Sequence, residues 1–102
     1  MSEASDERYL AIYSIIGSIP KGQVISYGAI AKMVPNCTAR VVARALRVTP
    51  KGSKLPWYRV INSQMKISDH SGAQKQRQLL EKEGVVFTAS GKVASQHHWL
   101  QH

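Results

Sequence analysis

The chain has 102 residues, with 14 Lys and Arg against 6 Asp and Glu, and a single cysteine. This length fits one domain with its own core, so we expect a single domain over residues 1–102. One cysteine excludes an internal disulfide, no Cys/His spacing matches a structural zinc site, and no apolar run is long enough to span a membrane. We therefore expect a cytoplasmic protein with no metal, no cofactor and no membrane partner.

The formal charge of +8 favours a polyanionic partner. Three of the six acidic residues, Glu3, Asp6 and Glu7, lie in the first seven positions, so the remaining chain carries 14 basic residues against three acidic ones. Such an imbalance is typical of nucleic-acid-binding domains. Ribosomal, membrane-surface and heparin-binding domains can be equally basic, so the charge alone indicates a polyanion without choosing which one.

The N-terminal segment predicts a first helix. Ser5 is a candidate N-cap, and Gly17 and Pro20 are expected to end the helix. Apolar and aromatic residues recur there at helical spacing: Tyr9, Ile12, Tyr13 and Ile16. We expect this helix to serve as scaffold.

Two short helices joined by a tight turn are predicted next. Ser26 is a good N-cap for a helix of about two turns that Pro35 stops, and Thr38 or Asn36 caps the second helix. Three residues of the second helix are expected to face inward: Val42, Ala45 and Leu46. Three arginines are expected to face outward: Arg40, Arg44 and Arg47. This pattern is typical of a helix-turn-helix, although an ordinary helical hairpin with a solvated charged face fits the spacing equally well.

The second half of the chain predicts small β elements and one more helix. The expected extended pieces are a strand over residues 59–61, a piece near 65–68, and fragments at 85–87 and 91–93. Ser71 is a candidate cap for a helix over residues 73–83, which Gly84 closes. The fold class predicted is mostly α with small β elements and a wing-like loop. The closing HHWLQH carries three histidines that can bind a metal, but we interpret it as a solvated tail.

Four segments resemble, in order and spacing, the DNA-binding domain of O6-alkylguanine-DNA alkyltransferases. They are residues 19–31, 38–47, 56–60 and 70–85, and the similarity extends roughly from Leu10 to Phe87. Several motifs in matching order are far more specific than any one of them. The resemblance implies a winged helix-turn-helix like the C-terminal domain of those enzymes.

The segment PWYRV at residues 56–60 departs from the enzymes, which carry Pro-Cys-His-Arg-Val there. In the enzymes the cysteine thiolate takes the alkyl group from a flipped guanine, assisted by the histidine and by a glutamate that corresponds to Glu83. An indole at Trp57 has no ionisable group to act as nucleophile, and the phenol of Tyr58 is a poor proton relay near neutral pH. Tryptophan at this position marks the alkyltransferase-like proteins, so we expect no enzymatic activity.

The resemblance assigns four residues to a lesion pocket: Tyr27, Trp57, Val60 and Ser71. Tyr27 matches the tyrosine that helps rotate the nucleotide out of the duplex, and packing against the first helix is its alternative. Trp57 would form a pocket wall, the alternative being a core aromatic that plugs a collapsed pocket. Val60 and Ser71 match positions that meet the extruded base through backbone groups, and Ser71 as a helix cap is an equally good interpretation.

The resemblance also assigns DNA contacts and loop-organising residues. Arg40 matches the arginine that enters the base stack, with a simple phosphate contact as its competitor. Arg44 and Arg47 are phosphate contacts or solvated charges. Loop organisation is assigned to Tyr58, Arg59 and Glu83. Cys37 precedes a helix, where a thiolate is favoured, but it lies outside PWYRV and is not expected to be catalytic.

The function predicted is that of a non-enzymatic DNA damage sensor. It would bind duplex DNA containing O6-alkylguanine, flip the modified base and direct the lesion to nucleotide excision repair proteins. We expect a monomer, located on the nucleoid if the source is bacterial. The alternatives are an active alkyltransferase with an unusual nucleophile and a winged-helix transcriptional regulator that reads intact sequence.

Overall fold

The computed structural model describes residues 7–49 and 52–100. The elements in chain order are α1 (Glu7–Gly17), β1 (Ile25–Ser26), α2 (Tyr27–Lys32), α3 (Ala39–Arg47), β2 (Val60–Ile61) and α4 (Ala73–Lys82). Two 3-10 turns lie at Trp57–Arg59 and Ser95–His97. The predicted mostly α fold with small β elements is therefore confirmed.

Helix α1 presents an apolar face to the main core, as its spacing predicts. The buried residues on this face are Tyr9, Ile12 and Ile16. Tyr13 is half-buried, and its hydroxyl donates a hydrogen bond of 2.7 Å to the carbonyl of Ala45 on α3. This bond fixes α1 against α3. The expected cap, Ser5, lies outside the described residues.

The two central helices begin at side-chain caps. The Ser26 hydroxyl accepts from the amide of Ala29 at 3.1 Å, and the Thr38 hydroxyl accepts from the amide of Val41 at 3.3 Å. Each cap satisfies an amide that the helix itself leaves unpaired. Of the two candidate caps for α3, Thr38 is the cap, whereas Asn36 lies in the preceding turn with a positive φ of 55°.

Helix α3 packs its apolar face against α1 and α2. The fully buried residues of α3 are Val41, Val42 and Ala45. Leu46, expected inside, is only half-buried and borders a surface cavity. Val42 and Ala45 are therefore buried as predicted, and Leu46 packs against the core at its edge. Arg40 and Arg47 are exposed as predicted, whereas Arg44 is half-buried.

The two strands pair in parallel at the centre of the molecule. Ile25 lies opposite Val60, and Ser26 lies opposite Ile61. The expected strand over residues 59–61 is shorter than predicted, because the Arg59 amide donates to the carbonyl of Pro56 within the 3-10 turn.

A second, smaller core lies below this sheet. Its buried residues are Val24, Ile61, Leu80, Val85 and Val93. Antiparallel bridges join Lys66 to Lys92 and Phe87 to Val93. These single bridges are the pairing found in the pieces predicted to be extended near 65–68 and at 85–87 and 91–93.

The prediction that Ser71 caps α4 is wrong. Helix α4 begins at Ala73 with Gly72 as its N-cap, and a glycine has no side chain to accept from the first amides of the helix. The first amide donors are taken by His70 instead: its Nδ1 accepts from the Gly72 amide at 3.0 Å, and its carbonyl accepts from the Ala73 amide at 3.1 Å. Ser71 is consequently left exposed on the turn.

The expectation of a solvated tail is also wrong for residues 97–100, the described part of HHWLQH. The amide of Val24 donates to the carbonyl of His97, and the amide of Trp99 donates to the carbonyl of Val24, both at 2.8 Å. Trp99 also packs against the main core. His102 lies outside the described residues.

The described ranges 7–49 and 52–100 contain neither a metal-binding cluster nor a membrane-spanning helix. In them, no group of three His, Cys, Asp or Glu side chains is placed to hold a metal ion. No helix of that part of the chain combines the length and the apolar character needed to cross a membrane.

Candidate nucleic-acid interface

An open cavity of about 570 Å³ lies between α3, the Trp57–Arg59 turn and the loop before α4. Tyr27 at the start of α2 and Arg40 and Arg47 on α3 line one side. Trp57 and Ser71 line the other. The volume falls in the range of small-molecule pockets, roughly 300–1,000 Å³. A comparable hollow of about 600 Å³ between α2 and the C-terminal segment contains none of the predicted site residues.

Trp57 stands at the edge of this cavity with 36% of its surface exposed. Its ring meets the ring of Tyr58 edge-on, with 5.9 Å between centroids and an interplanar angle of 87°. Edge-to-face contact is a favoured arrangement of aromatic rings and limits their rotation. A half-exposed, oriented indole beside an open cavity favours the pocket wall over the buried core plug.

Tyr27 occupies the first position of α2 and is half-buried. It packs against the main core and also borders the cavity. Its contact with an extruded nucleotide stays a prediction. Burial raises the pKa of the Tyr27 phenol above its ordinary value. The hydroxyl therefore stays protonated at neutral pH and can donate a hydrogen bond.

The three α3 arginines have no charged partner in the part of the chain that the structure describes. Arg40 and Arg47 are exposed and line the cavity, whereas Arg44 is half-buried and lies away from it. Within residues 7–49 and 52–100, none of these three side chains forms an ion pair or a hydrogen bond. Unpaired guanidinium groups on one helix face are suited to phosphate contacts.

The three residues assigned to loop organisation meet in one hydrogen-bonded cluster. The Glu83 carboxylate accepts from the Tyr58 hydroxyl at 2.8 Å, from Arg59 Nε at 2.9 Å and from the Gly22 amide at 2.9 Å. Arg59 Nη1 also donates to the carbonyl of Ile19 at 2.8 Å. The cluster ties the Trp57–Arg59 turn to the end of α4 and to the segment before β1.

The same cluster determines the protonation states of Glu83 and Tyr58. Burial raises the pKa of Glu83, but the hydrogen bonds from Arg59, Gly22 and Tyr58 outweigh it and hold this pKa below its ordinary value. Burial, followed by the hydrogen bond to Glu83, raises the pKa of Tyr58. At neutral pH Glu83 is thus anionic and Tyr58 is a protonated donor, so Tyr58 does not act as a base toward position 57.

Val60 lies beneath the cavity and does not line it. Its amide donates to the Trp57 carbonyl, and its own carbonyl accepts from Gln76 Nε2 at 3.0 Å. Contact between Val60 and an extruded base stays a prediction. Cys37, in the turn before α3, is half-buried and does not line the cavity either.

Two residues that line the cavity, His70 and Gln76, were not predicted from the sequence. His70 and Gln76 both line the cavity, and a hydrogen bond of 2.9 Å joins His70 Nε2 to Gln76 Oε1. Their spacing of six residues fits no regular helix or strand contact, because His70 lies in a turn and Gln76 lies in the helix that follows. The one feature of the sequence that could have indicated His70 is its position next to Ser71, which the resemblance assigns to the pocket.

An arginine-bearing helix, a tight turn and a cavity beside them define a helix-turn-helix DNA-binding domain. Residues 7–85 match the 6-O-methylguanine DNA methyltransferase family, DNA-binding domain. The chain belongs to this family, as an alkyltransferase-like member.

Relatives extend the match to nearly the whole chain. The DNA base-flipping protein of Vibrio parahaemolyticus is 49% identical over 92 residues, which cover 87% of this chain and 91% of that protein. Alkyltransferase-like protein 1 of Schizosaccharomyces pombe is 40% identical over 84 residues, which cover 78% of each.

A solved structure carries the same fold. The crystal structure of S. pombe Atl1 in complex with damaged DNA containing O6-carboxymethylguanine matches with a TM-score of 0.78 at 33% identity. The match covers 99% of this chain and 100% of that chain. The predicted helix-turn-helix of the alkyltransferase C-terminal domain is therefore confirmed.

Proposed function

We propose that the protein is a non-enzymatic sensor that binds O6-alkylguanine in duplex DNA by flipping the modified base into the cavity. The observation that carries the proposal is the position of Trp57, which stands half-exposed at an open cavity. By the resemblance of the PWYRV segment, the enzymes carry their nucleophile at this position. The relatives named for base flipping, and Atl1 bound to damaged DNA, support the same function.

Binding begins with electrostatics. The exposed guanidinium groups of α3 neutralise phosphates and orient the protein on the duplex, which gives affinity without reading sequence. Arg40 then enters the base stack from its place at the cavity edge. A planar guanidinium can stack on bases and keep its charge near phosphate, so it fills the gap that the flipped nucleotide leaves.

The cavity receives the extruded base. Tyr27 offers a protonated hydroxyl, and Trp57 offers apolar surface to the alkyl group together with an indole N–H donor. Ser71, which does not cap α4, lines the cavity from the loop before that helix. Flipping costs a few kcal/mol of unstacking, and these contacts together with Arg40 offset that cost.

The cavity lacks the chemistry for alkyl transfer. Trp57 has no ionisable group, and the Tyr58 hydroxyl is committed as a donor to Glu83. Cys37, the one thiol of the sequence, does not line the cavity. The bound lesion is consequently left intact.

A sensor that leaves its lesion intact must pass it on. We therefore include hand-over to nucleotide excision repair proteins in the proposal, with the protein acting as a single-domain monomer over residues 1–102 in the cytoplasm, on the nucleoid of a bacterial source. Recruitment to immobilised lesion DNA, with and without this protein, tests that part.

Two measurements separate this function from its alternatives. Competition between lesion-bearing and undamaged duplex distinguishes a sensor from a regulator that reads intact sequence, since a regulator shows no lesion preference. DNA with a labelled O6-methyl group distinguishes a sensor from an active alkyltransferase, because only the enzyme moves label to protein.

Trp57→Cys alone is expected not to restore efficient alkyl transfer. The new thiol would lack an activating base, because Tyr58 stands where the enzymes have histidine. The labelled-methyl assay checks this, with the double variant Trp57→Cys, Tyr58→His as the matched comparison that should transfer faster. Transfer by Trp57→Cys at the rate of a true alkyltransferase would contradict the prediction.

A further inference from the structure

Gln76 is a buried polar side chain directly under the cavity, with 3% of its surface exposed. Its Nε2 donates to two carbonyls of the Trp57–Arg59 turn and β2, Tyr58 at 3.1 Å and Val60 at 3.0 Å. Its Oε1 lies 2.9 Å from Nε2 of His70. One amide group therefore bonds both loops that line the Trp57 side of the cavity.

The hydrogen-bond pattern fixes the state of both side chains. Carbonyl oxygens only accept, so the Gln76 amide nitrogen must face Tyr58 and Val60 and its oxygen must face His70. His70 Nε2 must then carry a proton. The other ring nitrogen, Nδ1, accepts from the Gly72 amide at 3.0 Å, so His70 is a neutral imidazole with its proton on Nε2.

The His70 ring also supports the loop that carries Ser71. A Cβ added at Gly72 would lie 3.1 Å from Cε1 of His70 and 3.9 Å from Cη2 of Trp57. The space that a side chain at position 72 would take is thus bordered by the imidazole of His70 and, at van der Waals distance, by the indole of Trp57. The His70 ring therefore lies where the Ser71 loop and the Trp57–Arg59 turn meet.

We propose that His70 and Gln76 are positioning residues that hold the Ser71 loop and the Trp57–Arg59 turn at a fixed separation, so that the cavity is formed before a base enters it. This inference rests on the proposed function. A preformed cavity matters only when a base is extruded, because the phosphate contacts of α3 do not involve these loops. The pair therefore determines lesion discrimination and leaves general DNA affinity unaffected.

His70→Asn is the sharpest variant. An asparagine oxygen can accept from the amide two residues on, as in an Asx-turn, so the bond to Gly72 is kept. The shorter side chain does not reach Gln76, so only the bond between positions 70 and 76 is lost. Because His70 is exposed, the variant should stay folded, which its thermal unfolding curve will show.

Gln76→Met is the second variant, and Gln78→Met is its matched control. Methionine keeps a similar volume at position 76 but removes both donors and the acceptor. Gln78 is exposed on the same helix and takes part in none of these bonds. For each variant, dissociation constants are measured at fixed salt for one duplex bearing guanine or O6-methylguanine.

The expected result is that His70→Asn and Gln76→Met reduce the preference for lesion over undamaged duplex roughly threefold to tenfold, the equivalent of about one hydrogen bond. Their affinity for undamaged duplex, and both affinities of Gln78→Met, should match wild type. If His70→Asn prefers the lesion duplex as strongly as wild type does, this inference is overturned and the proposed function still stands. Equal affinity of wild type for both duplexes overturns the proposed function and the inference together.

A spectroscopic measurement tests the pair without DNA. Long-range ¹H–¹⁵N spectra of the imidazoles at mildly alkaline pH should show His70 with a protonated Nε2 and an unprotonated Nδ1. Gln76→Met should convert this single tautomer to a mixture. A protonated Nδ1, or a tautomer mixture in the wild-type protein, would refute the positioning role.

Discussion

The two walls of the cavity are held in place by different forces. Helix α3 is held by its apolar face, buried through residues such as Val42 and Ala45, while Arg40 extends from the opposite face without a partner among the described residues. The Trp57–Arg59 turn is held by charge, because Arg59 bonds Glu83 and the segment before β1. Arginine on one wall is therefore available for the DNA contact proposed above, whereas arginine on the other wall stabilises the fold.

The same contrast separates the two arginine–glutamate pairs of the chain's described part. In the Arg59–Glu83 pair the side chains are 14% and 8% exposed, whereas in the Arg77–Glu81 pair they are 49% and 52% exposed. Solvent screens the exposed pair and leaves it little net value. Removing one member of the Arg59–Glu83 pair leaves the other charge with neither its partner nor full hydration.

Glu83→Ala is expected to produce the largest effect. It should lower the free energy of unfolding by about 3 kcal/mol, because the Arg59 guanidinium and the Tyr58 hydroxyl lose their shared acceptor. Urea unfolding measures the loss. Glu81→Ala is the control, expected to cost less than about 0.5 kcal/mol. Equal losses of unfolding free energy in Glu83→Ala and Glu81→Ala would contradict the claim that only the Arg59–Glu83 pair stabilises the fold.

Arg40→Ala tests the other wall. It should weaken binding to lesion duplex by about 2 kcal/mol, more than the loss of one phosphate contact, because the flipped state loses the group that fills its gap. Arg44→Ala is the comparison, expected to reduce affinity for all duplexes alike and the salt slope by about 1. Identical losses and identical lesion preference in the two variants would refute insertion by Arg40.

The pH dependence of stability sharpens the role of Glu83. Its pKa is lowered in the folded state, so its contribution is complete above the unfolded carboxyl pKa of roughly 4.3 and is lost as pH falls through the folded-state value. The difference in unfolding free energy between wild type and Glu83→Gln should therefore shrink with acidification below about pH 4.3. A difference that stays constant across this acid range would contradict the pKa shift.

Local features of this fold were predictable from the sequence. The caps at Ser26 and Thr38 act on amides only three residues away, so residue type and position suffice to identify them. The buried spacing of α1 follows from helical periodicity in the same way. The residues at the cavity mouth, including Trp57 and Arg40, were located by resemblance and lie together in the structure.

Features that depend on contacts distant in sequence were missed or misassigned. Ser71 fits the residue type of a cap, but His70 accepts from the amides of Gly72 and Ala73 in the structure. The C-terminal segment looked like a solvated tail, yet His97 pairs with Val24, 73 positions earlier along the chain. Gln76 shows no helical or strand periodicity that would reveal two carbonyl partners on another loop.

The most direct test of the account compares dissociation constants at fixed salt for one duplex bearing guanine, O6-methylguanine, O6-ethylguanine or O6-benzylguanine. Phosphate contacts are common to all four duplexes and cancel in the comparison. If Trp57 forms an apolar wall of the cavity, every lesion should bind more tightly than guanine. The ethyl group should bind at least as tightly as methyl, by up to about 0.8 kcal/mol for its extra CH₂. Equal affinity for all four duplexes would contradict the sensor function as a whole.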